Sequence, residues 1–272
     1  MSKTVWNKKM TDTDEENIVR WYTKDNLTTK EILERLNKFK TRKTITDVLH
    51  KYNIDLKEKW EYVDIYHSIF DKITTEDQAY FLGLLCADGW VQEKTNEIGI
   101  QLIHTDIGIL EKLALFLNID IDKIKIYKNK NSMINGKVLN RSPCARLVWH
   151  SPWMKKSLSK YGVINKKSKR EWLPYLPEWL MRHFLRGFFD GDGCIHYTKI
   201  NTIHIKFYSS KTMCEQIKQF LSYKLNISLP KVSEGQSIHH ITYANQEDVN
   251  IIISYFWKNA KYYLTRKNPY EN

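Results

Sequence analysis

The sequence lacks the features that would place the protein in a membrane or outside the cell. No apolar run approaches the roughly 18 residues that a membrane-spanning helix needs. The N-terminal residues MSKTVWNKKMTDTDEE contain no hydrophobic segment of the kind found in secretory signals. The four cysteines show neither Cys-x-x-Cys spacing nor a matching histidine pair: Cys86, Cys144, Cys194 and Cys214. We therefore expect an intracellular protein with no membrane partner, disulfide framework or zinc site.

Acidic residues are also in deficit. The chain has 31 Asp and Glu against 43 Lys and Arg, which gives a formal net charge of +12. A surplus of this size favours a polyanionic partner, nucleic acid first among them, although a solvated basic surface has the same composition. The hydrophobic content of 42% and the charged content of 27% are ordinary for a folded globular protein.

Residues 1–60 predict a small all-α unit. Thr13 and Glu16 have the spacing of a capping box, a second helix is expected after Leu27, with Thr28 or Thr29 as its cap, and a third is expected over Thr44–Tyr52. This order is the outline of a helix-turn-helix, although a generic three-helix bundle has the same pattern. In a helix-turn-helix, the residues near the start of the third helix would contact DNA: Arg42, Lys43, Thr44 and Thr46.

The rest of the chain repeats itself. The segment FLGLLCADG (Phe81–Gly89) is matched 104 residues later by LRGFFDGDG (Leu185–Gly193). An alternating strand pattern follows each copy (97–104 and 202–209), and then an amphipathic helix (106–117 and 211–225). Further strands are expected near 124–128, 145–150, 229–232 and 239–244, and further helices near 154–161 and 247–259. The predicted fold is α+β, with two pseudo-symmetric αββαββα half-domains at 61–165 and 181–272 and a basic, proline-containing linker at 166–180.

Each repeated segment, taken as a helix, carries small residues four apart on one face: Gly83 and Ala87, then Gly187 and Gly191. Small residues at this spacing let two helix backbones approach closely. Glycine inside a helix costs on the order of 1 kcal/mol relative to alanine. We therefore expect the two segments to pair through these faces.

Asp88 and Asp192 stand in the last turn of the two helices, where the helix dipole disfavours a carboxylate. If the helices pair, the two carboxylates also repel each other. A divalent cation relieves both problems, and carboxylate oxygens suit Mg²⁺. Backbone oxygens of Ala87 and Gly191 are further candidate ligands. The pattern predicts metal-assisted hydrolysis of a phosphodiester.

FLGLLCADG and LRGFFDGDG resemble the signature helices of the LAGLIDADG homing endonucleases, in the two-motif, single-chain form. The resemblance covers roughly residues 61–272. It implies that the half-domains form a saddle in the major groove of DNA, and that Asp88 and Asp192 share two or three Mg²⁺ ions, for which Mn²⁺ or Ca²⁺ could substitute in binding. It also implies a monomer that cuts both strands of a long asymmetric target and leaves short 3′ overhangs.

Other positions match the family's pattern as well. Basic residues near the active site are implied at Lys167 (or Lys166) and at Lys267 (or Arg266), which could equally be phosphate-facing charges without a chemical role. Polar groups near the metal waters are implied at His104 and Ser209. The sequence departs from the family's motif at two positions. Cys86 stands where an acid is common, and Arg186 stands at an often small position, where it fits if its side chain points away from the paired helix.

Strand alternation selects candidates for DNA contact. Gln101 in the first half, and His204 and Lys206 in the second, are expected to face outward. Gln and Lys can contact adenine and guanine edges, so Gln101 and Lys206 are candidate base readers. Lys123 and Lys125 are expected on another strand and to contact phosphate.

The function expected from the sequence is therefore site-specific, Mg²⁺-dependent cleavage of double-stranded DNA. The alternatives are an RNA-binding intron maturase and a non-catalytic DNA-binding regulator on the same scaffold.

Overall fold

The structure is a computed structural model that describes residues 10–25, 27, 29–36, 41–54, 65–128, 132–134, 137–139, 142–164, 172–235 and 238–271. The chain divides into two compact units, Met1–Val63 and Asp64–Asn272. Within the described residues, no helix combines the length and the apolar character required for a membrane span.

The described residues of the first unit form three helices, α1 (Asp12–Thr23), α2 (Thr29–Leu36) and α3 (Arg42–Lys51). Apolar side chains at helical spacing pack into one cluster: Ile18, Tyr22, Ile32, Leu36, Ile45, Val48 and Leu49. An interhelical ion pair on the surface joins Lys51 Nζ to Glu15 at 2.6 Å. The helix-turn-helix interpretation of this unit stays a prediction.

Two helix starts in this unit differ from the sequence-based expectation. Thr11, and not Thr13, caps α1, and its capping-box partner is Asp14. Helix α3 begins at Arg42, two residues earlier than expected, because Thr41 caps it. Thr11 with Asp14 and Thr13 with Glu16 both have the spacing of a capping box, so the sequence alone does not show which threonine caps α1.

The second unit opens with the first half-domain. Helix α4 (Glu76–Asp88) leads directly into β1 (Gly89–Val91) and β2 (Glu97–Ile103). Helix α5 (Ile107–Phe116), β3 (Lys125–Tyr127), a small hairpin, β6 (Cys144–His150) and α6 (Pro152–Ser159) follow. The hairpin, β4 (Ser132–Ile134) with β5 (Lys137–Leu139), is an addition that the repeat did not predict.

The second half-domain has the same order. Helix α7 (Glu178–Asp192) leads into β7 (Gly193–Tyr197) and β8 (Ile203–Ser209). Helix α8 (Lys211–Leu225), β9 (Ser233–Glu234), β10 (His239–Tyr243) and α9 (Gln246–Trp257) follow. The strand expected at 229–232 was wrong: Pro230 has no N–H for a sheet ladder, and pairing starts at Ser233.

Both halves build a four-stranded antiparallel sheet, with strand orders β1-β2-β6-β3 and β7-β8-β10-β9. Each sheet starts immediately after one of the helices that carry the repeated segment, α4 or α7. The inner face of each sheet is apolar, and its buried side chains are Ile98, Ile100, Leu147 and Trp149 in the first sheet and Ile205, Phe207 and Ile241 in the second. The structure thus confirms an α+β protein with two related αββαββα halves.

Candidate active site and nucleic-acid interface

The two motif helices, α4 and α7, pack against each other through their glycines. A Cβ placed on Gly83 would overlap the carbonyl oxygen of Phe184, and one placed on Gly187 would overlap the carbonyl oxygen of Tyr80. Both obstacles are backbone atoms, which cannot turn aside as a side chain would. The two helix backbones are therefore in direct contact, and this fixes where their carboxyl ends lie.

The two candidate metal-binding aspartates stand at this pair of carboxyl ends. A Cβ on Gly191 would overlap the Cβ of Ala87 and lie 2.9 Å from the Asp88 carboxylate oxygen Oδ2. The Asp88 carboxylate therefore lies against the backbone just before Asp192. Both aspartates are half-buried, so part of each side chain remains accessible to solvent.

A buried cation lies at the same place. Lys267 is 6% exposed, and its Nζ donates to the carbonyl oxygens of Phe189 at 3.0 Å, Asp190 at 2.6 Å, Gly191 at 3.1 Å and Gly193 at 2.8 Å. The last carbonyls of a helix lack partners within the helix, and this ammonium bonds to those of Asp190 and Gly191 in addition to the Phe189 carbonyl, which also accepts from the Gly193 N–H.

The pKa of Lys267 shows which charges surround it. Burial, together with the charge of Arg266, lowers this pKa to about 8, while Asp190, Asp88 and Asp192 oppose the shift. One cation therefore interacts with both candidate metal-binding carboxylates. The contacts of Lys267 are those of a helix cap, and a catalytic role for it stays a prediction.

Asp190, the acid two residues before Asp192, is fully buried and joins three parts of the fold. Its Oδ2 accepts from the hydroxyl of Tyr80 at 2.6 Å and from the backbone N–H of Leu264 at 3.0 Å. Burial raises the pKa of Asp190 to about 7. The corresponding residue of the first half, Cys86, donates to the Tyr161 carbonyl at 3.6 Å.

The side chain of Arg186 does not point away from the paired helix, which was the condition for it to fit the family's motif. It is fully buried, and its guanidinium donates to Glu76 on α4 at 2.9 Å and to the carbonyl of Tyr262 at 2.7 Å. Its carbon Cζ also lies 5.3 Å from the ring centre of Tyr80. A buried guanidinium needs several acceptors, and these are Glu76 of α4 and the carbonyls of Tyr262 and Phe256.

The C-terminal segment of the chain, residues 258–267, returns to the first half-domain. Lys261 Nζ and the Tyr262 hydroxyl reach Asp77 of α4, at 2.6 Å and 3.0 Å. Arg266 makes a forked contact with the buried carboxylate of Asp106, with distances from 2.8 to 3.2 Å. Arg266, the alternative candidate to Lys267, is thus paired with an acid outside the α4–α7 crossing.

The outer face of the first sheet carries the expected Gln101 on β2 and Lys125 on β3, which flank β6 on its two sides. Between them is Arg146, a cation that sequence reasoning missed although strand alternation could have found it. Gly99 is buried beneath the ring of Trp90. Lys123 was expected on a strand, and this was wrong: it ends a short 3-10 turn before β3, where the Asp120 side chain caps the turn.

The outer face of the second sheet carries His204 and Lys206 on β8, both half-buried. Their cross-strand neighbours are His196 for His204, and Cys194 and Thr242 for Lys206. Ser209 is the last residue of β8, and His104, in the equivalent place after β2, is exposed.

The remaining candidates are placed as follows. Lys43 is exposed at the start of α3, whereas the hydroxyls of Thr44 and Thr46 bond to the neighbouring backbone, at Thr41 N and Lys43 O. Arg42 is the first residue of α3, and its side chain lies outside the described residues. Lys166 and Lys167 also lie outside them.

Among the described residues, no cluster of three or more His, Cys, Asp or Glu side chains is arranged to hold a metal ion. The donors at the helix crossing are two carboxylates and nearby backbone carbonyls. This all-oxygen set fits Mg²⁺, which binds few protein carboxylates and keeps several waters.

Two helices that pack through glycines, each followed directly by a four-stranded antiparallel sheet, define a class of α+β proteins built from two similar halves. Residues 179–254, from the first turn of α7 into α9, match the family model described as LAGLIDADG-like domain. The second half of the chain therefore contains a LAGLIDADG-like domain. No curated protein sequence matches the chain significantly.

Many solved structures are similar to the chain, including the following three, all at low sequence identity. The I-SmaMI LAGLIDADG homing endonuclease bound to cleaved DNA is 14% identical, with 72% of this chain and 86% of that chain covered and a TM-score of 0.44. The meganuclease I-AabMI bound to uncleaved DNA is 16% identical, covering 68% and 84%, with a TM-score of 0.42. The N-terminal LAGLIDADG domain of DUF199/WhiA is 15% identical, covering 72% and 92%, with a TM-score of 0.47.

Proposed function

We propose that the protein is a site-specific endonuclease that uses a divalent metal ion to hydrolyse phosphodiesters in both strands of double-stranded DNA. The observation that carries this proposal is the crossing of α4 and α7, which holds the Asp88 carboxylate against Gly191, next to Asp192. The LAGLIDADG-like domain supports it, because that domain also occurs in the homing endonucleases to which the chain is similar. Short 3′ overhangs and a long, asymmetric target belong to the same proposal.

Asp88 and Asp192 would hold the metal, with backbone oxygens of Ala87 and Gly191 as further ligands. Bound Mg²⁺ supplies a Lewis acid and an activated water beside the phosphodiester. The protein's own contribution is positional: the glycine contacts set the distance between the helix ends, and Lys267 holds the last turn of α7 through its carbonyls. Asp190 adds a hydrogen bond between the two helices.

Double-stranded DNA is the proposed substrate because the outer faces of both sheets carry cations and hydrogen-bonding groups. Arg146 and Lys125 lie on the first sheet and Lys206 on the second. A net charge of +12 favours attraction to the DNA backbone. The first unit, with Lys43 at the start of α3, would add contacts beyond the two sheets. We propose that the chain acts as a monomer, since both halves of the site are on one chain.

The test uses a randomised DNA duplex library incubated with the full chain and Mg²⁺. The wild type is expected to cut a narrow set of sequences, and Asp88→Asn or Asp192→Asn to bind the same set without cutting. Asp122→Asn, which changes an exposed acid on the turn before β3, is the matched control and should cut normally. Wild-type binding without cutting would indicate a DNA-binding regulator, and cutting that survives both site changes would contradict the site assignment.

The maturase alternative is tested on the same protein with a pool of structured RNA. Selective retention of RNA without selective retention of any duplex would favour the maturase and contradict the proposed substrate.

A further inference from the structure

One row of side chains crosses the outer face of the first sheet. Arg146 on β6 pairs directly with Gln101 on β2 and with Lys125 on β3. Arg146 and Gln101 are half-buried, so each still reaches solvent on this face. The inner face of the same strands is the apolar core, so this row lies on the opposite face of the sheet, where a ligand can approach.

Arg146 is held in place by two aromatic rings. Its guanidinium carbon Cζ lies 5.4 Å from the ring centre of Trp90 and 4.8 Å from that of Tyr127. Trp90 is fixed in turn, since its ring covers Gly99 and its indole N–H donates to Glu97 at 3.0 Å. The hydrogen bond from Trp90 keeps the Glu97 carboxylate directed at the indole. The Arg146 side chain is thus oriented before any ligand arrives.

Gln101 and Arg146 bind each other in a way that decides what they can recognise. Arg146 Nε and a terminal nitrogen donate to Gln101 Oε1, at 3.0 Å and 2.6 Å. An arginine side chain has only donors, so the atom of Gln101 that faces it must be the oxygen. A carbonyl oxygen has two lone pairs, and both are used.

The exposed edge of this pair therefore contains donors only. Gln101 keeps the two N–H groups of its amide, and Arg146 keeps the N–H groups that do not reach Oε1. In the major groove, guanine offers two acceptors, N7 and O6, whereas adenine offers one acceptor and one donor, and cytosine offers a donor. A glutamine reads adenine only when its oxygen is available to accept from adenine, and here it is not.

We propose that Gln101 and Arg146 act as one donor-only pair that specifies guanine in the half of the DNA target that faces the first sheet. This replaces the expectation that Gln101 reads adenine. It rests on the proposed function to the extent that DNA must lie along this face with its major groove toward the sheet.

The test measures binding to a randomised DNA duplex library in Ca²⁺, so that its result does not depend on cleavage. The wild type is expected to enrich guanine at one position, and Gln101→Ala to lose that preference by about 10-fold or more, as expected for a bidentate base contact. Arg146→Ala frees Gln101 Oε1, and the same position is expected to change from guanine to adenine. Lys112→Ala, which removes an exposed positive charge from α5, is the matched control and should leave this position unchanged.

Arg146→Lys separates base reading from charge. It keeps the positive charge but lacks the planar fork that donates to Gln101 and to a base together, so it is expected to bind DNA with little loss and to weaken the guanine preference. Thermal unfolding of each variant checks that the fold is retained, and the lysine variant carries the test if the alanine variant does not fold.

Three results would overturn the inference. The first is that the Gln101 and Arg146 variants keep the wild-type base preferences, and the second is that they change the preference at two unrelated positions. The third is a uniform loss of affinity with a weaker salt dependence, which marks a phosphate contact. If the wild type enriches no sequence at all, the proposed function fails and this inference fails with it. If the wild type enriches sequences and the variants enrich the same ones, only this inference fails.

Discussion

The side-chain nitrogen of Lys267 lies 2.6 Å from the carbonyl oxygen of Asp190, at the end of the helix that carries Asp192. Three further carbonyls of the same turn accept from this ammonium. A cation at a helix carboxyl end offsets the dipole that disfavours a nearby carboxylate. Lys267 therefore places a positive charge at the helix end beside Asp192, where the dipole alone would be unfavourable to a carboxylate.

Replacing this buried ammonium should destabilise the second unit. Lys267→Met removes the donors and leaves buried carbonyls unpaired, which costs about 1–3 kcal/mol or more. Lys261→Met is the matched control, because Lys261 pairs with Asp77 on the surface and such pairs contribute about 0–1 kcal/mol. Urea unfolding measures both. Equal losses for the two variants would contradict the capping role of Lys267.

The buried carboxyl of Asp190 should make stability depend on pH. Burial raises its pKa from the usual 3.8 to about 7, so the folded chain holds this proton more tightly than the unfolded chain does. The contribution of Asp190 to the free energy of unfolding is then greatest near pH 4 and is lost as the pH rises through 7. Asp190→Asn should remove this loss. The urea midpoints of both proteins at pH 5 and pH 7.5 measure it, and parallel changes would contradict the assignment.

Replacing glycine by alanine should have opposite effects on stability at two helical positions, because only one of them lies at the crossing of α4 and α7. Gly83→Ala drives a methyl group into the Phe184 carbonyl, and we expect a loss of at least about 1–3 kcal/mol, typical of overpacking. Gly108→Ala, in α5, meets nothing within 4 Å and should stabilise by up to about 1 kcal/mol. Thermal unfolding checks the pair. A neutral Gly83→Ala would show that the helices can separate without cost.

The position of the first helix cap is open to a simple comparison. Thr11→Ala removes the side-chain acceptor for Asp14 N–H and should cost about 1 kcal/mol, as N-cap losses do. Thr13→Ala changes an exposed residue inside α1 and should be nearly neutral. Helical circular dichroism during urea unfolding distinguishes the two, and a larger loss at Thr13 would reverse the assignment.

Local patterns were enough to predict the general architecture. The two FLGLLCADG-type segments, the alternating strands after them and the small residues at Gly83 and Gly187 together give two αββαββα halves meeting at a close helix crossing. These signals depend on neighbouring residues and on the spacing of small side chains, and both can be read from a single sequence.

The features that the sequence did not predict depend on residues far apart in the chain. The burial of Arg186 was not predicted because its acceptors, Glu76 and the Tyr262 carbonyl, stand 110 and 76 residues away in the sequence. The pairing of Gln101 with Arg146 spans 45 residues and depends on strand register. Periodicity indicates which face a residue occupies, but not which residue it meets there.

Because residues 258–267 contact the first half-domain, that half can complete its contacts only late in the synthesis of the chain. Asp77 meets Lys261 across 184 residues of sequence, and Asp106 meets Arg266 across 160. The first half leaves the ribosome long before these partners exist, so it cannot complete its own contacts while the second half is being made. The helix crossing that brings Asp88 to Gly191 can form only after α7 has been synthesised. Nuclease activity, if the proposal holds, is thereby withheld from any partly translated chain.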